Sequence, residues 1–493
     1  MINSGIYHIA NTTSLVAVPD PITDGSLDYY QQQRLNAVFA DISLGYRDYL
    51  FLNLTGRNDW SSTLPENNRS YFYPAVASSF VFSEAFNMQS NLLSMGRIRA
   101  SWAKIGADAD PYQIYNIYSV RSAYFPFRGL PGMSTPTTST DPNLTPEFST
   151  EIELGTQLDF FNNRLGIDFA WYDRRSTDQI APVSVPASTG YQYMVTNFGE
   201  LQNTGVELGL NIVPVRLPNS LEWSIFSTFT KNRSEVLSLT GDEERIVLAG
   251  LFGDPSPVLE VGQPYGILRG SISPRDPDGN LLIDPGTGNL LDSREDATVG
   301  NPNPDFVLGL SNTFTYKGFT LGMLVDYVHG GDIYSETISS LMGRGVTKDT
   351  EDRERVFTIP GYYGDPNTGE ALLDADGNKI PNTTHVNLND LVFTNAFAIN
   401  SASEWNVFDA SVFRIREISL GYTLTREQMG SLPFGSATIS LTGRNLWFYA
   451  LNMPKHTNFD PEINSYGASN VQGVDYSGAP SVKRYGVNLR LTF

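Results

Sequence analysis

The chain closes on Tyr485-Gly486-Val487-Asn488-Leu489-Arg490-Leu491-Thr492-Phe493. Tyr485, Val487, Leu489, Leu491 and Phe493 alternate with Gly486, Asn488, Arg490 and Thr492, so a strand over these residues has one apolar and one polar face. Two architectures use such a strand. In a soluble sandwich the polar face meets water and the apolar face a core; in a membrane barrel the polar face lines a lumen and the apolar face meets lipid.

The same period of two recurs upstream in runs of about ten residues, the length a tilted strand needs to cross a bilayer. Ile152, Leu154 and Leu158 oppose Glu151, Glu153 and Asp159; Leu165, Ile167, Phe169 and Trp171 oppose Arg164, Gly166 and Asp168. Val206, Leu208, Leu210 and Ile212 oppose Glu207 and Asn211; Phe319, Leu321, Met323, Val325 and Tyr327 oppose Thr320, Gly322 and Asp326; Ile439 and Leu441 oppose Ser440 and Thr442.

Connections between runs are of two kinds, and they alternate. Short ones, marked by Gly, Asn or Pro, fall at 46–48, 162–163, 214–220, 317–318 and 425–435; long ones span about 59–70, 107–147, 176–196, 236–303, 333–405 and 448–481. A barrel with turns at its periplasmic end and elaborated loops outside obeys this rule, whereas a sandwich has no reason to. The fold class is therefore all-β, a transmembrane antiparallel up-and-down β-barrel, and residues 1–493 form one partial outer-membrane barrel domain.

Composition agrees. Charged residues are 17% of the chain, against roughly 25% in soluble domains, and aromatics reach 12%. No run of about 18 apolar residues provides a membrane helix. A net charge of -20 excludes a nucleic-acid partner, which needs clustered Lys and Arg. The chain has no cysteine, which removes disulfides, thiolate metal sites and cysteine catalysis. Met1 to Ala10 lack a secretory signal.

About thirteen strands are expected, starting near Arg34, Tyr49, Tyr71, Met95, Ser149, Arg164, Phe198, Leu221, Pro304, Gly318, Asn406, Ser436 and Val482. A barrel with both termini in the periplasm has an even number, so an odd count leads us to expect further strands before residue 1.

Trp60, Tyr71, Phe72, Tyr73, Trp171, Tyr172, Trp447, Phe448 and Tyr449 cluster toward the long-loop side; Tyr71, Tyr73, Trp171, Trp447 and Tyr449 are expected in an aromatic girdle. Stacking on sugar rings is the alternative use. Arg414 and Arg416 share parity with Ile418, Leu420, Tyr422 and Leu424, a lipid-facing register that costs about 2–4 kcal/mol per charge at mid-bilayer. The two arginines are accordingly expected above the outer rim. Arg97, Arg99, Glu151, Glu153, Asp168, Glu207 and Asp326 are expected on the lumen side, as wall residues able to touch substrate.

Other motifs reduce to plainer readings. Asp276-Pro277-Asp278-Gly279-Asn280 and Asp374-Ala375-Asp376-Gly377-Asn378 have Gly fourth rather than sixth, and Thr287 and His385 where an EF-hand needs Glu; Asp-Gly turns are expected there. His8, His329, His385 and His456 form no metal or triad motif, so no enzyme, metal or cofactor is expected. Phe493, a final aromatic on an alternating strand with Tyr485, Val487, Leu489 and Leu491, resembles the signal read by the outer-membrane assembly machinery.

Several segments resemble the SusC/RagA family of TonB-dependent outer-membrane transporters. They include Gly56-Arg57-Asn58-Asp59-Trp60-Ser61-Ser62, Ile98-Arg99-Ala100-Ser101-Trp102-Ala103, Asn203-Thr204-Gly205-Val206-Glu207, Gly300-Asn301-Pro302-Asn303-Pro304-Asp305-Phe306, Ile415-Arg416-Glu417-Ile418-Ser419-Leu420-Gly421-Tyr422 and Ser440-Leu441-Thr442-Gly443-Arg444-Asn445-Leu446. Asn-Thr-Gly reads as a bend or bulge, and Asn-Pro-Asn-Pro as a stiff descent from loop into strand. The resemblance implies a 22-stranded barrel around an amino-terminal plug, of which this chain holds the carboxyl-terminal strands without the plug. It also implies coupling to a TonB-ExbB-ExbD complex, a SusD-like surface lipoprotein as lid, and import of oligosaccharides, peptides or similar large nutrients. A siderophore or cobalamin receptor and a passive porin or structural surface barrel are the alternatives. Which cargo is carried cannot be read from these motifs.

Overall fold

A computed structural model describes residues 31–493 except 89, 117, 122–131, 218–219, 241–243, 249–252, 293–294, 395–401, 431, 458 and 468. The amino-terminal segment and His8 thus lie outside the described residues. Thirteen strands among those described form one sheet: β1 Leu35–Tyr46, β2 Leu50–Ser61, β3 Ser70–Phe80, β4 Leu93–Ala107, β5 Glu147–Phe160, β6 Leu165–Thr177, β7 Gly199–Arg216, β8 Leu221–Leu239, β9 Phe306–Tyr316, β10 Phe319–His329, β11 Val412–Leu424, β12 Ser436–Ala450 and β13 Arg484–Thr492. Each pairs antiparallel with its neighbours in sequence, the meander that alternating turns and loops require.

The tight turns follow from residues that tolerate a left-handed backbone. Arg47 and Asp48, Asn162 and Asn163, and Lys317 with Gly318 all have positive φ, the sense of twist that matches a two-stranded hairpin. The joint between β3 and β4 is longer than the other short ones and carries one helical turn, α1 Phe82–Ala85.

Register carries a single polar face across the sheet. Following paired residues from strand to strand, Arg99 sits opposite Gly155, Gly155 opposite Ala170, Ala170 opposite Glu207, Glu207 opposite Thr230 and Thr230 opposite Val307. The opposite face is apolar. Ile98, Ile152, Leu154, Leu420 and Leu441 all stand exposed on it, 40 to 60% accessible or nearly so, with no helix packed over them. Soluble monomers rarely leave a contiguous apolar patch of more than a few hundred Å² open, whereas here large apolar side chains stand exposed on strand after strand.

Three expectations are corrected by the strand pairing. Between Ile415 and Glu417 the ladders to β10 and β12 both shift, making Arg416 the extra residue of a β-bulge. One inserted residue reverses parity beyond it, so Arg414 shares the polar face with Asp326 rather than projecting above the rim. Asn203-Thr204-Gly205 is not a bend: it runs inside β7, whose shifts fall at Glu200/Leu201 and Ile212/Val215. The strand expected from Asn406 begins at Val412, because Val407–Asp409 pairs instead with Asp332–Ser335 in a small separate sheet.

The long connections are themselves folded. Asp332–Ser335 lies between Val407–Asp409 and Val474–Asp475, which joins the 330–411 and 451–483 segments. Leu282–Ile283 pairs in parallel with Tyr362–Tyr363, and Ile283, Leu290, Ile359 and Val386 form a buried core beneath them.

Candidate functional site

The polar face brings together every residue assigned to it from sequence: Arg97, Arg99, Glu151, Glu153, Asp168, Glu207 and Asp326. Three of them, Arg99, Glu153 and Asp168, engage one another, and Arg97, Glu151 and Asp326 pair with other side chains of the face. Arg99 reaches across β5 to make a bidentate pair with Asp168 at 2.8 and 3.0 Å, and its Nε donates to Glu153 at 3.1 Å. Arg174 meets Glu151 at 2.5 Å, and Arg97 donates to Gln157 at 2.7 Å. Glu207 makes no ion pair among the described residues. It lines a hollow of about 480 Å³ with Arg99, Asp168, Asn211, Phe226 and Thr228.

Glycines let these long side chains lie flat. A Cβ on Gly155 would come within 2.5 Å of Arg99 Nε, so the guanidinium crosses the strand only because that position has no side chain. Gly205 does the same for Tyr172, whose hydroxyl donates to Asn232 at 2.9 Å on the far side. The result is a polar wall whose large groups run along the sheet instead of standing out from it. Alternation located the glycines' face; which of them are crossed depends on pairing between distant strands.

Tyr71 and Tyr73 belong to this wall, which corrects their assignment to an outward girdle. They sit opposite Asp59 and Arg57, Tyr71 is buried, and the Tyr73 hydroxyl donates to Asp59 at 2.9 Å. Arg57 completes the cluster with a 2.7 Å bond to the same carboxylate. Phe72, between the two tyrosines, is the residue that faces outward.

At the long-loop end, Arg414 and Arg416 form the most heavily charged cluster of the face. Arg414 is 2% exposed and makes parallel bonds of 2.9 Å to both oxygens of Asp460, with Glu462 3.0 Å away. Arg416 grips Asp326 at 2.6 and 3.1 Å and Glu462 at 2.6 and 2.7 Å. The segment around Asp460 is therefore folded inward over the polar face. Burial alone would raise the Asp460 pKa, but hydrogen bonds from Arg414 and Ser481 outweigh it and hold the carboxyl below the ordinary range.

The Asp-Gly turns have a cation of their own. Asp276 accepts from the Asp278 and Asn280 amides, and the Lys379 ammonium lies 2.6 Å from Asp276 and 2.5 Å from Asp278. Lys379 follows the second turn, at 374–378, so the pair ties the 240–305 segment to the 330–411 segment. Further bonds join the same two segments: Trp405 Nε1 donates to Ser273 Oγ at 2.7 Å, and the Glu404 carboxylate accepts the Ser273 amide at 2.5 Å and pairs with Arg275 at 3.0 Å.

On the outward face, Trp171, Trp447 and Tyr449 stand toward the long-loop side, with Trp447 stacked on Tyr449 at 6.3 Å and edge-on to Phe413 at 6.0 Å. A second row, not foreseen, lines the turn side: Trp223 on Phe314, Phe319 on Tyr422, and Phe434 on Phe493. On β10 the two rows are marked by Phe319 and Tyr327, roughly 27 Å apart along a strand rising ~3.4 Å per residue. At a tilt of about 40° that spans about 20 Å of bilayer, near the ~25 Å apolar band of outer-membrane barrels. Tyr485, Val487, Leu489, Leu491 and Phe493 all project from this face.

Comparison with known proteins gives a consistent picture. Residues 4–363 match the family model described as TonB dependent receptor-like, beta-barrel. The chain is 26% identical to TonB-dependent receptor P26 of Formosa agariphila, over 99% of this chain and 49% of that protein. It is 22% identical to TonB-dependent receptor SusC of Bacteroides thetaiotaomicron, over 94% of this chain and 44% of that protein. The fold is similar to a structure of the RagAB peptide transporter, with a TM-score of 0.67 and 20% identity over 94% of this chain and 48% of that one. The chain thus spans about half the length of the curated relatives it matches.

Proposed function

The chain belongs to the TonB-dependent receptor-like β-barrel family, in its SusC/RagA branch, and is an outer-membrane barrel protein; from this we propose that it forms the barrel wall of a TonB-dependent importer of large nutrients, oligosaccharides or peptides. The observation that supports the reading best is the continuous polar face beneath folded long loops: its large polar groups lie flat over Gly155 and Gly205, the lining a water-filled passage requires.

In this reading a SusD-like lipoprotein covers the long-loop end, and a TonB-ExbB-ExbD complex supplies energy from the periplasm. The chain works by binding and passage, with no covalent chemistry of its own.

Deletion of the gene in its native host, followed by growth on defined oligosaccharides and on defined peptides as sole nutrient, tests the proposal. Loss of growth on one class, restored by the intact gene but not by one uncoupled from TonB, is expected. Unchanged growth and uptake on both classes would refute it. Copurification of a surface lipoprotein with the receptor tests the lid.

A further inference from the structure

Along the turn-side rim of the outward face, the rings of Tyr46, Tyr49, Phe80 and Phe86 follow one another with centroids 5.6, 6.0 and 5.9 Å apart. Phe86 comes from the joint between β3 and β4, which is fastened to the outward face at two points. The Phe82 ring covers Gly96 so closely that no Cβ would fit there, and the buried Ser83 hydroxyl accepts the Gly96 amide at 3.0 Å.

The exposed side of this joint is amphipathic: Glu84, Asn87, Ser90 and Asn91 stand open beside three large apolar side chains. Phe86 is 65% exposed, Leu92 60% and Met88 49%, and beside them Phe161, whose amide donates to the Leu92 carbonyl, is 49% exposed. Residues 81–92 include one charge, Glu84, whereas the joint after β1 carries Arg47 and Asp48 and the joint after β11 carries Arg426 and Glu427. A rim of this kind, continuous with a lipid-facing aromatic row and nearly without charge, has the composition of an interfacial segment.

We propose that residues 81–88 and 90–92, with Phe161, form a foot that lies in the headgroup-to-acyl boundary of the periplasmic leaflet. The inference rests on the outward face meeting lipid and is independent of which cargo is carried. Its alternative occupant, a periplasmic protein seated on Phe86 and Leu92, gives a different outcome in the same experiment.

None of the 493 residues is a cysteine, so within this chain a spin label attaches only where a cysteine is introduced, any cysteine elsewhere in the receptor being replaced by serine first. Single substitutions Phe86→Cys, Met88→Cys and Leu92→Cys, with Asp48→Cys as the water reference and Leu154→Cys as the lipid reference, are labelled in the full receptor reconstituted into phosphatidylethanolamine–phosphatidylglycerol vesicles. Collision rates with oxygen and with a water-soluble nickel chelate are then compared. At 86, 88 and 92 the oxygen-to-chelate ratio is expected to exceed that at 48 by severalfold and to approach that at 154. Ratios equal to that at 48 overturn the proposal, as does shielding from both reagents, which would mark a protein partner. A chelate-preferring label at 154 overturns it together with the lipid assignment of the whole outward face.

Discussion

Arg414 and Asp460, 46 positions apart, meet through two parallel 2.9 Å hydrogen bonds while both are almost wholly buried. One belongs to the wall and the other to the last long connection, so this ion pair, beside the Arg416–Glu462 pair and the Val474–Asp475 pairing, holds residues 451–483 over the polar face. Removing one member leaves the other charge buried and unpaired, at a cost of about 3–5 kcal/mol. Arg414→Ala and Asp460→Ala should each free that segment, seen as rapid proteolytic cleavage within 451–483 while the strands stay protected. Equal cleavage of variant and parent would refute the latch.

The same pair has a pH dependence of known sign. The folded pKa of Asp460 is lowered below the ordinary 3.8, so its contribution is complete above that value and is lost as pH falls through the lower folded value. A spin label at Ser469→Cys should stay immobile at neutral pH and gain mobility only below about pH 4. Release already near pH 6 would assign the effect to another group.

Gly155 and Gly209 offer a contrast on one face. A Cβ on Gly155 meets Arg99 Nε at 2.5 Å, whereas on Gly209 its nearest contact is an ordinary 3.8 Å from Asp168. Gly155→Val should displace Arg99 from Asp168 and lower unfolding stability in detergent by about 1–3 kcal/mol. Gly209→Ala should change it by less than about 0.5 kcal/mol. Equal effects would mean that the flattening of Arg99 carries no energy.

Lys379→Met removes the ammonium shared by Asp276 and Asp278. Lys379 holds the Asp276 carboxyl well below the usual range, so faster hydrogen exchange is expected in both 275–283 and 372–381. A second change, Asp276→Asn with Lys379→Met, should restore part of the protection. Faster exchange in only one segment would show that the pair does not join them.

Leu154 and Thr228 test the two faces. Leu154→Arg places a charge on the lipid side and should cost about 2–4 kcal/mol, read as reduced heat-modifiable, folded protein in outer membranes. Thr228→Arg, on the polar face, should assemble at parental levels. The reverse ranking would invert the sheet.

Much of this architecture is local in origin and was therefore legible in the chain. Period-two alternation from Glu151 to Leu158 and from Tyr485 to Phe493 separates two faces whatever the strands pair with, and positive-φ residues such as Asn162, Asn163 and Gly318 make hairpins where they stand. From these come the thirteen strands, their order and the seven charged residues of the polar face. Parity fails where something non-local intervenes. The bulge at Arg416 reverses Arg414, and Tyr71 and Tyr73 turn inward because Arg57 and Asp59 on the neighbouring strand await them.

The class of fold, the two faces and the side of the long connections are local properties of the chain, because alternation and turn chemistry act over a few residues. That Arg99 lies across Gly155, that Asp460 is drawn onto Arg414 and that Phe82 covers Gly96 emerges only on folding. Each of those contacts joins residues far apart in the chain, and its energy exists only once strand register has brought the partners together.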